Sequence, residues 1–236
     1  GVRAYIKEDE FNFFEIEKIC SQLDCKIDIN YKVIKQENWN AIWESNFQPI
    51  TLGNKCGIRA DFHEPLEVDY EIIITPKMSF GTGHHATTYG MIEAMLSLDF
   101  QEKKVLDMGC GTGVLAILAH QLGSNMVVAI DIDELAYNNA LENISMNGSS
   151  NIVVHKGGKE KIDGEFDIIL ANINRNILIQ DMHAYCSHLL QNGLILFSGF
   201  YEQDLDLIKQ EAKRQGLKYI SHNSKNNWVT AKFQKL

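Results

Sequence analysis

The chain has 236 residues, of which 45% are hydrophobic and 22% are charged, a composition typical of one or two globular domains. Its net charge of -9 disfavours a broad surface for nucleic-acid phosphates, so we expect no direct nucleic-acid substrate. Five cysteines without a C-x-x-C pair indicate reduced thiols and a cytoplasmic location. No run approaches the roughly 18 apolar residues of a membrane span, so we expect no membrane association.

Residues 1–35 predict part of an N-terminal α/β domain. Their pattern indicates a short strand at residues 2–7, an amphipathic helix within residues 13–23 and a second strand at residues 27–33. A fragment of about 35 residues buries too little surface to be stable alone. Either the other half of this domain precedes Gly1, which is the preferred interpretation, or the fragment packs against the main domain.

Residues 36–50 are the predicted linker, and they include a short helix that carries Trp39 and Trp43. We expect both rings to pack against neighbouring elements rather than against a target. Residues 51–236 are the predicted main domain, which opens with a β-hairpin leading into a strand at residues 72–75.

From Thr88 onward helices alternate with strands, which predicts a parallel sheet covered on both faces. The expected helices are residues 87–98, 113–122, 134–146, 176–190 and 202–215, and the expected strands are residues 104–107, 127–131, 152–155, 166–171 and 194–198. Two last strands, at residues 218–222 and 228–233, are joined by a short polar turn and must run antiparallel. The predicted fold class is α/β, a Rossmann-like sheet closed by an antiparallel hairpin.

Residues 105–113 read V-L-D-M-G-C-G-T-G, an apolar strand that turns through a glycine-rich loop into a helix. Gly109 and Gly111 leave no Cβ atoms where a nucleotide-like cofactor must approach the backbone. The loop lacks the last glycine of G-x-G-x-x-G, which disfavours a pyrophosphate-bearing dinucleotide. Asp131, at the end of the next strand, can accept hydrogen bonds from both ribose hydroxyls, whereas Asp133 suits a helix cap.

A second motif, S-F-G-T-G-H-H-A-T-T at residues 79–88, lies upstream of the glycine loop. Together with that loop, the I-D-I-D of residues 130–133 and the A-N-I of residues 171–173, it resembles the PrmA family. Members of that family methylate amino groups of protein eleven of the large ribosomal subunit. The resemblance covers most of residues 47–236 and implies a class I S-adenosylmethionine-dependent methyltransferase. It also implies that residues 1–35 are part of an N-terminal domain for substrate recognition, because in the family such a domain captures the ribosomal protein and this segment resembles its later half.

The resemblance also implies which residues contact the methyl donor, S-adenosylmethionine. Phe80 and the G-T-G turn after it are expected to form a flexible lid, although the two glycines would equally suit a static turn. Without the resemblance, Thr88 would be interpreted as an ordinary helix residue. The expected cofactor-binding residues are Thr88, Gly109, Gly111, Asp131, Asn172 and Phe80.

Asn172 is the candidate catalytic residue, because it follows an apolar strand at the sheet edge where ligands of open parallel sheets bind. Amino-directed methyltransferases, which this segment resembles, use such a turn to accept hydrogen bonds from the incoming nitrogen. The alternative is an Asn that only suits an irregular turn. Asn176, further along, could cap the next helix.

No metal site is expected at the adjacent His84 and His85. Neighbouring side chains rarely point the same way, and no Cys or third His stands at ligand spacing nearby. A contact with cofactor or substrate is the preferred interpretation of this pair. Cys110, inside the glycine loop, has no activating partner in the sequence and is interpreted as a small packing residue.

The expected reaction is attack of a neutral amine on the methyl carbon of S-adenosylmethionine. A lysine with a pKa of about 10.4 is neutral in roughly one molecule in a few thousand at pH 7. Burial beside the sulfonium favours the neutral amine, and hydrogen-bond acceptors then orient it, so we expect positioning to be the main catalytic effect.

The sequence leaves three other functions open. The enzyme could methylate an amine of another protein, a nucleobase or a small molecule. The same fold could bind the donor without turnover, which the presence of Asp131 and Asn172 disfavours. A nicotinamide-dependent oxidoreductase is disfavoured by the glycine pattern and by the closing hairpin.

Overall fold

The computed structural model describes residues 4–7, 10–23, 27–32, 47–76 and 81–236. The predicted linker helix with its two tryptophans lies outside these ranges, as does Phe80. The chain divides into two compact units, Gly1–Asn46 and Phe47–Leu236. No helix within the described ranges is long and apolar enough to cross a lipid bilayer.

In the first unit, helix α1 covers Phe13–Cys20, within the predicted helical segment. Asn12 begins this helix, because its side-chain oxygen accepts hydrogen bonds from the backbone N–H groups of Phe14 and Glu15 at 3.1 and 3.3 Å. None of the side chains of α1 is buried.

The strands expected on either side of α1 are not formed in the parts that the structure describes, residues 4–7 and 27–32. The prediction was wrong there, because a strand requires a hydrogen-bonded neighbour and the described residues of this unit supply none. Instead, the ring of Tyr31 packs against Phe11 and Phe13, with centroid distances of 5.0 and 5.3 Å.

The second unit begins with a small three-stranded sheet of β1 (Ile50–Leu52), β2 (Cys56–Ala60) and β3 (Tyr70–Ile74). β1 and β2 form the predicted antiparallel hairpin. β3 pairs in parallel with β2, and its other edge has no strand neighbour among the residues that the structure describes.

The main sheet has seven strands and confirms the predicted alternation. Its strands are β4 (Lys104–Met108), β5 (Met126–Asp131), β6 (Ile152–Lys156), β7 (Phe166–Asn172), β8 (Leu189–Tyr201), β9 (Leu217–Lys225) and β10 (Trp228–Lys235). Their order is β6-β5-β4-β7-β8-β10-β9, and β10 runs antiparallel to both of its neighbours, as the closing hairpin requires.

Five helices accompany this sheet: α2 (Ala86–Met95), α3 (Val114–Gln121), α4 (Glu134–Met146), α5 (Arg175–His188) and α6 (Leu205–Arg214). α4 has the predicted bounds, with Asp133 as its N-cap. α5 begins one residue earlier than predicted, because Asn174 rather than Asn176 is the cap and accepts a hydrogen bond from the N–H of Ile177 at 3.2 Å.

β8 is longer than predicted at both ends. It pairs with β7 on one side and with β10 on the other, and these ladders extend it from Leu189 to Tyr201. The preceding helix therefore ends at His188 instead of continuing to residue 190. Before α6, residues Glu202–Asp204 form a short 3₁₀ helix.

Two hydrophobic cores lie on opposite faces of the main sheet. Successive residues of β4 show the alternation, because Val105 joins the core with α2 and α3 while Leu106 joins the core with α5 and α6. Both side chains are fully buried. The small sheet packs into the first of these cores through Ile58 and Ile72.

Candidate functional site

The strand order places a crevice at the carboxyl ends of β4 and β7. From β4, the chain proceeds outward to β5 and β6, then returns to place β7 on the other side of β4. Ligands of open α/β sheets bind where the order reverses in this way. Met108 of β4 is paired with Ala171 of β7, so Gly109 and Asn172 both follow directly at this edge.

The glycine loop between β4 and α3 has a conformation that requires glycine. Gly109 has a φ of 71° and Gly113 a φ of 80°, in the left-handed region. A Cβ atom at Gly109 would collide with Cγ2 of Ile173. The N–H groups of Gly109 and Cys110 donate to the carbonyl oxygen of Ile130 at 2.8 and 3.1 Å, which ties the loop to the end of β5.

Asp131 stands beside this loop at the end of β5. Its Oδ2 accepts a hydrogen bond from the N–H of Gly111 at 2.8 Å, and its Oδ1 accepts one from the N–H of Asp133 at 2.9 Å. Each carboxylate oxygen has a second lone pair for a ligand. Asp133 caps α4 by accepting from the N–H of Leu135 at 2.8 Å, as its sequence position predicts.

Asn172 and Thr88 meet at the same edge although they are far apart in sequence. The Nδ2 group of Asn172 donates to the hydroxyl oxygen of Thr88 at 3.4 Å. Thr88 is 1% exposed. The Oδ1 atom of Asn172 is buried and accepts no hydrogen bond from any described residue, so it is an acceptor that a ligand could satisfy.

Asp107, the last acidic residue before the loop, is fully buried beneath it. Its Oδ2 accepts a hydrogen bond from the N–H of Ala116 in α3 at 3.1 Å. Its Oδ1 has no partner among the described residues. Burial raises the pKa of this carboxyl to about 7, with a smaller contribution from the charge of Asp131.

His84 and His85 point to different surroundings. The His84 ring packs edge-on against Phe47 at 4.7 Å, and its Nδ1 lies 3.2 Å from the hydroxyl of Thr82. His85 caps α2 and lies 2.8 Å from the hydroxyl of Thr87. Within the described ranges, no three His, Cys, Asp or Glu side chains are grouped so as to hold a metal ion.

Trp228, Tyr201 and His85 form an aromatic cluster that sequence reasoning missed. The Trp228 ring lies 4.0 Å from that of Tyr201 and 4.7 Å from that of His85. Tyr201 ends β8, only three residues beyond Ser198, which is paired with Asn172. No local signal joins these rings, because they come from the start of α2, the end of β8 and the start of β10.

The G-T-G turn at residues 81–83 contacts the glycine loop. The hydroxyl of Thr112 donates to the carbonyl oxygen of Gly81 at 2.8 Å. Cys110 lies inside the loop, where burial raises the pKa of its thiol well above the usual range. It is a neutral packing residue at neutral pH rather than a nucleophile.

The glycine loop after β4, Asp131 at the end of β5 and Asn172 at the end of β7 meet where the strand order reverses. The fold and this crevice therefore define a class I S-adenosylmethionine-dependent methyltransferase. The chain belongs to the family described as ribosomal protein L11 methyltransferase (PrmA), whose family model matches residues 1–236. The predicted resemblance is thereby confirmed.

Individual relatives agree with this assignment. The ribosomal protein L11 methyltransferase of Phocaeicola vulgatus is 42% identical over 240 residues, which cover 99% of this chain and 85% of that protein. The one from Porphyromonas gingivalis is 46% identical over 201 residues, covering 83% of this chain and 69% of that protein.

Solved structures show the same fold. A crystal structure of ribosomal protein L11 methylase from Lactobacillus delbrueckii subsp. bulgaricus has a TM-score of 0.74 and 29% identity, and the match covers 80% of this chain and all of that chain. A methyltransferase from Pyrococcus furiosus, at 19% identity, shares the fold with a TM-score of 0.58 over 69% of this chain and 88% of that chain.

Proposed function

We propose that this enzyme transfers methyl groups from S-adenosylmethionine to amino groups of ribosomal protein L11, with the donor held at the edge of β4, β5 and β7. The names of the relatives supply the substrate. The observation that carries the proposal is the buried, unsatisfied Oδ1 atom of Asn172 beside the glycine loop.

The residues of the crevice fit the donor. Gly109 and Gly111 leave the loop backbone open to close approach, and the second lone pairs of Asp131 suit the two ribose hydroxyls. Ile132, which is 78% exposed directly after Asp131, offers an apolar surface to a flat base. Thr88 completes the set by holding Asn172.

Phe80 is proposed to cover the donor together with residues 81–83. Support comes from the hydrogen bond between Thr112 and Gly81, which brings that turn to the glycine loop. When bound, S-adenosylmethionine supplies an electrophilic methyl carbon on a positively charged sulfur.

Asn172 is proposed to orient the attacking amine. Its free Oδ1 accepts a hydrogen bond from an amine N–H, and its Nδ2 is already engaged by Thr88, which fixes the direction of the amide. A neutral Asn cannot act as a strong base, so the ammonium group gives its proton to solvent water as it enters the crevice, and desolvation there favours the neutral amine. The aromatic surface of Trp228 and Tyr201 contributes to that desolvation by excluding water from the aliphatic stem of a lysine.

The first unit is proposed to capture L11, with residues 1–35 as part of a recognition domain, residues 36–50 as a linker and residues 51–236 as the methyltransferase domain. Exposed apolar side chains on α1 support a docking role, since Phe14 is 73% and Ile19 63% exposed. The reaction is proposed to be cytoplasmic, because the proposed substrate is a ribosomal protein. The free thiols of Cys56 and Cys186 support this, since thiols stay reduced in that compartment.

Transfer of labelled methyl groups tests this proposal. Purified enzyme, labelled S-adenosylmethionine and unmodified L11 are expected to yield labelled L11, with mass spectrometry locating the modified amines. L11 whose amino groups have been chemically blocked is the control and should remain unlabelled. Donor binding without labelling of L11 would contradict the proposed substrate, and labelling of another cellular protein instead would favour a different amine.

A further inference from the structure

Two asparagines of α4 and the asparagine that caps its C-terminus hydrogen-bond to the backbone at the end of β3 and just after it. Asn139, Asn143 and Asn147 are spaced four residues apart, so their side chains lie along one line of the helix. β3 is an edge strand of the small sheet, and its outward N–H and C=O groups lack a strand partner there.

The asparagine amides take the place of that missing strand. Asn147 accepts from the N–H of Ile73 at 2.9 Å and donates to its carbonyl oxygen at 2.6 Å. Asn143 accepts from the N–H of Thr75 at 2.8 Å, and Asn139 donates to the carbonyl oxygen of Thr75 at 3.1 Å. All three side chains therefore have a structural role at this edge.

Asn143 differs from the other two because its amide also reaches the glycine loop. Its Nδ2 donates to the carbonyl oxygen of Thr112 at 2.8 Å, and the residue is fully buried. The hydroxyl of Thr112 in turn donates to Gly81. Thr112 is therefore linked to Thr75 through the side chain of Asn143, and to Gly81 through its own hydroxyl.

The Thr112 carbonyl belongs to the peptide that leads into Gly113, where the chain turns into α3. Holding that carbonyl fixes the orientation of the peptide plane between Thr112 and Gly113. The nearby N–H of Gly111 donates to Oδ2 of Asp131, and this alignment must be kept as well. We propose that Asn143 is a positioning residue for the methyl donor: it orients the glycine loop through Thr112 without touching the donor. The inference rests on the donor site described under the proposed function.

Asn143→Asp tests this role, with Asn147→Asp as the matched control. An aspartate at either position keeps an acceptor for the N–H of the edge segment but replaces the amide donor. When the buried carboxyl introduced by Asn143→Asp is protonated it can still donate to Thr112, and when it ionises it repels that carbonyl. S-adenosylmethionine binding is measured by titration calorimetry at pH 5.5 and pH 8.5, with wild type at each pH, at a temperature where circular dichroism shows every variant to be folded.

Asn143→Asp is expected to bind the donor about as tightly as wild type at pH 5.5 and about tenfold more weakly at pH 8.5, because a buried hydrogen bond is then lost. Asn147→Asp is expected to match wild type at both pH values. The inference would be overturned if the ratio of the Kd at pH 8.5 to the Kd at pH 5.5 were the same for the two variants. If wild type itself fails to bind the donor, the proposed function fails instead.

Asn143→Ser and Asn147→Ser provide a second comparison if an ionised group at position 143 prevents folding. Both remove the amide without adding charge. Only the first is expected to weaken donor binding, again about tenfold. Identical Kd values for these two serine variants would overturn the inference.

Discussion

The side-chain amide of Asn172 donates to the hydroxyl of Thr88 across 3.4 Å, joining the end of β7 to the first turn of α2. Thr88 is held in place because His85 caps that helix. The contact uses the donor end of the amide and leaves the buried Oδ1 atom without a partner among the described residues. The orientation of the proposed catalytic group therefore depends on a helix residue that lies 84 positions earlier in the chain.

Replacing Asn172 by Ala should slow methylation without preventing donor binding. The variant removes the only group proposed to orient the amine, so kcat is expected to fall by about 10²-fold. The Kd for S-adenosylmethionine should rise by a smaller factor, because Asn172 is only one of several proposed donor contacts. Single-turnover methylation of L11 and calorimetry measure the two quantities. Asn174→Ala, which removes only the cap of α5, should cost about 1 kcal/mol of stability and leave kcat unchanged. An undiminished rate in Asn172→Ala would defeat the assigned role.

Asp131 and Asp133 offer a direct comparison of donor binding with helix capping. Asp131→Ala removes the acceptor of the Gly111 N–H together with the proposed ribose contact, so the Kd for S-adenosylmethionine should rise about 100-fold. Asp133→Ala should destabilise the protein by about 1 kcal/mol and leave the Kd near its wild-type value. Calorimetry and thermal denaturation of both variants check this, and an equal rise in Kd would show that the effect comes from α4.

Gly109→Ala should impair the donor site more than an equally strained substitution elsewhere. Its Cβ would collide with Ile173, and its φ of 71° disfavours any side chain. Gly148→Ala is the control, since Gly148 has a φ of 62° and no atom within 4 Å of an added Cβ. Both should lose about 1 kcal/mol from the backbone conformation, but only Gly109→Ala should lose donor affinity. Wild-type affinity in Gly109→Ala would show that the loop tolerates a Cβ there.

The buried carboxyl of Asp107 should make stability depend on pH. Its pKa is raised from 3.8 to about 7 by burial, so the native state holds the proton more tightly than the unfolded state does. This contribution to stability is complete below pH 3.8 and is lost as the pH rises through about 7. Asp107→Asn mimics the protonated form and should therefore be about 1–3 kcal/mol more stable than wild type at pH 8.5.

At pH 5 the difference between Asp107→Asn and wild type should be smaller, because the native carboxyl is still protonated there and only the unfolded carboxyl has ionised. Urea denaturation at both pH values measures the two free energies of unfolding. A difference that does not change between pH 5 and pH 8.5 would show that the Asp107 carboxyl does not titrate in this window.

Much of the second unit could be predicted from local pattern. The bounds of α4 follow from an Asp cap and an uninterrupted helical segment, and the closing hairpin follows from a polar turn that is too short for a crossover. The prediction of two strands beside α1 was wrong for the described residues 4–7 and 27–32. Alternating apolar residues form a strand only where a neighbouring strand completes their hydrogen bonds.

The sequence by itself determined where the backbone turns and which chemical groups stand at each turn: the glycines after β4, Asp131 at the end of β5 and Asn172 at the end of β7. These signals are local, because φ angles, capping and periodicity act over a few residues. Only the tertiary structure decided that Thr88 holds Asn172, that Trp228 stacks on Tyr201 and that Asn143 reaches Thr112. Such contacts depend on the order in which strands assemble and on how helices pack against them, and distant side chains meet only once that assembly is complete.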